Sequence, residues 1–390
     1  SIIVPARIES TRFPRKLLHL VRGKPIILWT ADRIRAVAPD FPLHFAVDDD
    51  SLDRCLTQAG YSTIRTSCDH YSGTDRLAEA NLLVGADTVI NVQGDEPMVT
   101  EEQILSLAAG IQGEVSIATL ATPFICPDDF TNPNQVKVVL DIHKNALYFS
   151  RSKIPYGAEN FYCHKGIYAF KKSSLEKIKK LKSGLLGTYE DLEQLRWLEN
   201  NMSISMLITK NKSIGVDTKE DLIKAENALF ANNIKGLICD VDGTLTNGLL
   251  WYGENGEELK SFNVKDGFAI KKLISKGFSI GFLSGRDSIP LRKRTEELGV
   301  KFTRFNQSDK KKGCEELLDE MQLNTSNAAY IGDDETDISC CEMIPFSFAV
   351  NNSHLDLKKY ARFNLKRNGG EGVVAEFIEK LKLLSTNSKI

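Results

Sequence analysis

A chain of 390 residues is long enough for two or three domains at the usual ~100–200 residues each. Its 50 basic and 52 acidic side chains nearly cancel, which leaves no electrostatic footprint for nucleic acid or an anionic membrane, and no apolar run approaches the ~20 residues of a membrane span. The eight cysteines include no Cys-x-x-Cys pair and 42% of the residues are hydrophobic, so the expectation is an α/β protein with sizeable cores, acting on small molecules in a reducing cytoplasm. Ser1–Pro5 is too short and uncharged for a signal peptide, and Ile2–Ala6 already reads as a first buried strand.

The loop after that strand, Arg7–Lys16, carries Arg7, Arg12, Arg15 and Lys16. Guanidinium forks and ammonium groups at the C-terminal end of a strand make a plausible triphosphate cradle. Pro25–Val37 has helical apolar spacing, and Leu43–Val47 followed by Asp48 reads as the second strand. The order is Rossmann-like, yet no G-x-G-x-x-G follows the strand, so a nicotinamide cofactor is not expected. Thr88–Val92 reads as another strand, with Gln93-Gly94-Asp95 at its tip, where Asp95 can hold Mg²⁺ against a phosphate.

Several runs then fall in a recognisable order. They are Pro5-Ala6-Arg7-x-x-Ser10-Thr11-Arg12-x-Pro14-x-Lys16, Ser72-Gly73-Thr74-Asp75-Arg76, Asn91-Val92-Gln93-Gly94-Asp95-Glu96-Pro97, Tyr148-Phe149-Ser150-Arg151, His164-x-Gly166-Ile167-Tyr168, Leu192-Glu193-Gln194-Leu195-Arg196 and Gly215-Val216-Asp217-Thr218. Over about residues 1–230 the chain resembles the 3-deoxy-manno-octulosonate (Kdo) cytidylyltransferases, which make CMP-Kdo from CTP and Kdo. The resemblance implies CTP on Arg7, Ser10, Arg12, Lys16, Arg76 and Gln93, with Arg7 and Lys16 also stabilising charge in the transfer. It implies the sugar on Gln93, Arg151, His164, Tyr168 and Glu190, and Mg²⁺ on Asp95 and Asp217. Two departures surround the sugar site: Arg15 stands where that family commonly has glycine, and Gly187 where it usually has glutamate.

Lys219–Asn232 has a helical apolar stripe and ends at Asn232-Asn233, which divides the chain into expected domains 1–232 and 233–390. Beyond it, Gly236–Asp240 reads as a buried strand delivering Asp240 and Asp242 to its tip. Two carboxylates so close repel unless a hard cation such as Mg²⁺ lies between them. A β-rich flap at Leu249–Leu259, a helix at Val264–Lys276 and strands at Ser279–Leu283 and Ala328–Ile331 complete a parallel α/β pattern. Asp240-Val-Asp242-Gly-Thr-Leu-Thr, Leu283-Ser284-Gly285-Arg286, Lys310 and Gly332-Asp333-Asp334-x-x-Asp337 resemble the four motifs of haloacid-dehalogenase-type phosphatases.

Residue chemistry assigns Asp240 as nucleophile, Asp242 as acid/base, Ser284 as a phosphoryl hydrogen-bond donor and Lys310 as the charge neutraliser. Asp333 completes a Mg²⁺ shell with Asp240 and the carbonyl of Asp242. About forty residues between the first two motifs leave no room for a large cap. The run Asn255–Gly267 and the loop Arg367–Gly372 resemble the capless Kdo-8-phosphate phosphatases, which assemble as tetramers. The expectation is a bifunctional enzyme, a homotetramer through its C-terminal domain, taking CTP and an ulosonic acid or its phosphate. The alternative is a transferase for a neighbouring sugar, joined to a silent oligomerisation module of the kind that resembles animal CMP-sialate synthetases. Intact Asp240, Asp242, Ser284, Lys310 and Asp333 weigh against silence.

Overall fold

The computed structural model describes residues 1–9, 13–21, 23–70, 72–123, 130–157, 161–182, 184–211, 215–254 and 256–385. Ser10 and Arg12 therefore lie outside the described residues. The chain divides into two compact units, Ser1–Glu226 and Asn227–Ile390. The helix Lys219–Asn233 runs across that division, and Phe230 and Ala231 near its end belong to the second unit's core.

In the first unit, Ile2–Ala6 is buried along its whole length, as a run of apolar residues with no polar face requires. It pairs in parallel with Leu43–Val47 on one side and Thr88–Asn91 on the other, and Ser62–Arg65 extends the parallel part beyond Leu43–Val47. The Rossmann-like expectation holds there but not across the whole sheet. Tyr162–Lys171 runs antiparallel to both Thr88–Asn91 and Ile117–Pro123, and the antiparallel pair Lys137–Leu140 and Ala146–Ser150 is attached to it. A register shift between Lys165 and Tyr168 marks a bulge in that long strand. Apolar clusters centred on Phe45 with Ile104, and on Phe149 with Trp197, fill the unit.

The second unit is a six-stranded parallel sheet in the order Phe302–Arg304, Ser279–Leu283, Gly236–Asp240, Ala328–Gly332, Ser347–Ala349, Phe363–Asn364. Gly236–Asp240 is central and wholly buried. The chain leaves it first toward Ser279–Leu283 and later returns on its other side as Ala328–Gly332, so the order of winding reverses at its C-terminal end. Such a switch point opens a crevice beyond the strand tips. The flap forms as a two-stranded ribbon, Trp251–Gly253 against Gly256–Leu259.

Candidate active sites

The first site is a cavity of about 780 Å³ at the C-terminal ends of Ile2–Ala6 and Thr88–Asn91. Arg7, Lys16, Gln93 and Asp95 line it from the phosphate-loop side, and His164, Tyr168 and Glu193 from the other strand and the helix beyond. The backbone N–H of Val216 donates to the carbonyl of Asp95 at 3.0 Å, which brings the segment carrying Asp217 beside the strand tip. Lys16 then bridges the two carboxylates, to Asp95 Oδ2 and to Asp217 Oδ1 at 3.0 Å. Burial works against the Lys16 ammonium, but Asp95 and Asp217 outweigh it and raise its pKa.

Three residues expected to touch substrate stand behind the walls instead. Arg76 is buried, donating to Asp48 Oδ2 at 2.9 Å and Thr66 Oγ1 at 2.7 Å, while Asp48 Oδ1 accepts from the backbone of Ile8 at 3.0 Å. Through Asp48 it is thus tied to the backbone at Ile8, just after the first strand. The Glu190 carboxylate accepts from the Arg151 backbone N–H, and the Arg151 guanidinium donates to the carbonyls of Glu190, Pro133 and Asp191. This pair ties together two loops of the cavity wall and does not itself line the cavity.

His164 does line it, and its tautomer follows from its neighbours. Thr119 Oγ1 has one proton and stands 2.8 Å from the Ile167 carbonyl and 3.1 Å from that of Lys165. Against His164 Nε2, 3.1 Å away, it can therefore only accept, which puts the imidazole proton on Nε2 and leaves Nδ1 an acceptor. Burial, with a smaller contribution from Lys165, depresses this histidine's pKa to about 3, so the ring is neutral.

The second site lies at the tip of Gly236–Asp240. The buried Lys310, first residue of the helix Lys310–Glu320, places Nζ 2.6 Å from Asp240 Oδ1 and 2.5 Å from Asp337 Oδ1. Burial opposes its charge, yet the two carboxylates prevail and raise its pKa. Ser284 Oγ donates to Asp242 Oδ2 at 3.0 Å, and the other Asp242 oxygen is paired with the buried ammonium of Lys260. All five residues expected from the motifs meet here.

Sequence reasoning passed over two further members. Asp337 stood inside the quoted Gly-Asp-Asp-x-x-Asp run, but nothing marked it as more than spacing. In the fold it accepts from Lys310, from the Tyr330 hydroxyl and from the backbone of Asp333 and Asp334. Lys260 stood inside the quoted Asn255–Gly267 run, but its pairing could not be read there, because only the return of the flap brings it to Asp242.

Both clusters suit a divalent hard cation. Asp240, Asp333 and Asp337 place carboxylate oxygens within 4.8 Å of one another, and Asp240 Oδ2 is buried without a hydrogen-bond partner. In the first site the Lys16 ammonium occupies a place between two carboxylates that a cation could share. Oxygen-only donors of this kind favour Mg²⁺-type ions over softer metals.

The loop Arg367–Gly372 packs on its own unit. The Gly370 N–H donates to the Thr244 carbonyl at 2.9 Å, and Asn263 Nδ2 donates to the Gly370 carbonyl at 3.0 Å. Gly369 faces Gly243 so closely that a Cβ there would fall inside the Gly243 carbonyl oxygen. The loop thus braces its own unit's first motif.

A model of the cytidylyltransferase family matches residues 1–204. The chain belongs to the cytidylyltransferase family. Within it, the 3-deoxy-manno-octulosonate cytidylyltransferase of Parabacteroides distasonis is 40% identical over 240 residues, spanning 57% of this chain and 95% of the relative. A solved CMP:2-keto-3-deoxy-manno-octonic acid synthetase complexed with CTP aligns with a TM-score of 0.54 at 36% identity, over 58% of this chain and 95% of that one. Behind the cytidylyltransferase unit, a haloacid dehalogenase-like hydrolase model matches residues 304–378. A cobalt-bound deoxy-D-mannose-octulosonate 8-phosphate phosphatase from Haemophilus influenzae is 36% identical over 41% of this chain and 93% of its own, with a TM-score of 0.40. The cytidylyltransferase is thus joined to a hydrolase-like unit in one chain. Among its described residues, no helix is long and apolar enough to cross a membrane.

Proposed function

We propose that the chain is a bifunctional ulosonic-acid enzyme of the cytosol. Its C-terminal unit frees an ulosonic acid such as Kdo from its phosphate, and its N-terminal unit activates that acid with CTP. The observation that carries this reading is the duplication of one device in two separate units. A lysine that opens a helical turn lies between carboxylates, Lys16 with Asp95 and Asp217 in one and Lys310 with Asp240 and Asp337 in the other.

In the transferase the anomeric hydroxyl of the sugar attacks the α-phosphorus of CTP in line, and pyrophosphate departs. Arg7 and Lys16 stabilise the charge that builds on the phosphates. In the phosphatase Asp240 attacks the phosphoryl group, Asp242 protonates the departing sugar oxygen, and the aspartyl-phosphate is then hydrolysed by water that Asp242 deprotonates. Ser284 and Lys310 hold the phosphoryl oxygens. Asp95 and Asp217 in one site, and Asp240, Asp333 and the Asp242 carbonyl in the other, would hold Mg²⁺, which supplies charge neutralisation at phosphorus.

The open phosphatase site also favours assembly. Trp251 and Tyr252 of the flap and Val264, Phe268 and Ile289 around it are exposed apolar side chains. A patch of that kind marks an interaction surface, and closed symmetry makes a homotetramer of C-terminal units the economical way to cover it.

Pyrophosphate release from CTP with a panel of ulosonic acids, and phosphate release from the matching ulosonate phosphates, test the reading. Asp95→Asn is expected to lower the first by about 10²-fold or more and leave the second near wild type, and Asp240→Asn to do the reverse. Absence of pyrophosphate release with every acid overturns the transferase assignment. A folded chain inactive on every phosphate in Mg²⁺ hands the second unit to scaffolding.

A further inference from the structure

The near-balance of charge over the whole chain, 50 basic against 52 acidic side chains, hides a local excess on the first unit. Between residues 171 and 182 stand Lys171, Lys172, Lys177, Lys179, Lys180 and Lys182, against the single acid Glu176. The short helix Lys172–Ile178 turns its apolar Leu175 and Ile178 inward and its lysines outward. Lys171 donates to the Gly113 carbonyl, and the other five lysines are exposed. This helix packs on the helix Gly73–Val84, and the two run antiparallel. The Lys172 N–H donates at 2.9 Å to the carbonyl of Asp87, just past the end of Gly73–Val84, and Lys179 at the other end acts on the charge of Glu79 in its middle. Glu79 is itself held by His70 and the Ser67 N–H, and Asp87 is a further exposed acid at this edge. Leu82 and Leu83, three and four residues past Glu79, share its face between those two contacts and are 63% and 76% exposed.

We propose that this surface docks the chain on an anionic phospholipid bilayer, with the lysines against the headgroups and Leu82 and Leu83 entering the interface. Charge complementarity selects the sign of the partner, since a cluster of about four to eight lysines on one face is what draws a protein to anionic lipid. The leucines select its form. With most of their surface open they project from the helix rather than line a groove, and a projecting apolar pair fits a deformable headgroup layer better than the fixed surface of an acidic protein or a nucleic acid. Lysine stems add to that fit, because they lie along apolar surface while the ammonium stays in water. The placement also spares the chemistry. Gly73 begins its helix beside Pro5 and Gln93 at the transferase cavity, whereas the chain beyond Leu83 enters the strand Thr88–Asn91 at the opposite edge of the sheet. A bilayer against Leu82 and Lys172 therefore lies away from the cavity mouth.

The test is flotation of the full-length chain with phosphatidylcholine vesicles, with and without phosphatidylserine. Wild type is expected to partition at least about tenfold more strongly onto the anionic vesicles, and to lose that excess in high salt. Lys179→Glu combined with Lys180→Glu should lower the partition by at least about tenfold. Leu82→Ser combined with Leu83→Ser should lower it by about tenfold while keeping its salt dependence. All four positions are exposed and outside both active sites, so thermal unfolding of each variant should match wild type. Should either double variant unfold early, Lys177→Gln combined with Lys182→Gln is the milder loss of charge and is expected to lower the partition by about tenfold. Equal partition onto the two kinds of vesicle overturns the proposal, as does a folded double variant that partitions like wild type. Equally tight binding of a soluble polyanion such as RNA or polyglutamate, undiminished in the leucine variant, also overturns it, since the surface would then be a general anion site.

Discussion

Lys310 is the residue on which the second site balances. Its ammonium holds Asp240 and Asp337 together, with Asp333 close by, and without it three carboxylates share one buried space. Removing one partner of a buried ion pair typically costs about 3–5 kcal/mol. Lys310→Met should therefore destabilise the second unit by about that amount in chelator and by less in Mg²⁺, which can take over the charge. Urea denaturation with and without Mg²⁺ measures the difference, and equal stabilities in the two buffers would speak against a cation site.

His164 makes a pH prediction. Its folded pKa is depressed to about 3, whereas the unfolded chain titrates at about 6.5. Below about 6.5 the unfolded chain binds a proton that the folded chain refuses. The stability present above that pH is lost as pH falls toward about 3, up to about 2 kcal/mol of it by pH 5. His164→Gln should flatten that part of the stability profile between pH 7 and 5 in denaturant titrations, and an unchanged slope would assign the loss to other groups.

At the scale of elements, the first motif of the second unit depends on a loop more than a hundred residues away in sequence. Gly370 donates to Thr244, and Gly369 lies flat against Gly243, itself at φ +93°, where only glycine is comfortable. The helix that follows, Val373–Leu384, is anchored by Asp266 Oδ1, which accepts from Val374 N at 2.7 Å. Gly369→Ala should push the loop off the motif, lowering phosphate release by at least tenfold while pyrophosphate release by the transferase stays within about twofold. Assaying both products of one preparation decides it, and parallel loss would point to global unfolding instead.

At the scale of the whole molecule, the exposed apolar band of the second unit is what should assemble it. Val264 and Phe268 lie one turn apart on a helix and so share a face, both exposed. Phe268→Asp should convert a tetramer into smaller species in light scattering and weaken phosphatase activity, leaving pyrophosphate release in place. A wild-type chain that scatters as a monomer yet is fully active would sink the shared-cover idea.

Much of this architecture is legible in the amino-acid sequence. The strands Ile2–Ala6, Leu43–Val47, Gly236–Asp240 and Ser279–Leu283 are mostly apolar, with His44 the one polar residue inside any of them, and such runs are satisfied in the interior of a sheet. Polar residues at or just beyond strand ends emerge at the sheet's edge, which placed Asp95 and Asp240, while Ser284 and Asp333 were marked by the resemblance of their motifs to the phosphatase family. What spacing cannot carry is which side chains meet across a cavity. Arg76, Arg151 and Glu190 sit in recognisable motifs, yet the fold turns them to brace the walls, because Asp48 and the loop carbonyls satisfy their charges there. Lys260 and Asp337 gained their positions from the return of a ribbon and a turn. Hydrophobic patterning set the sheets and their tips through local burial, while long-range packing decided which polar group faces the substrate.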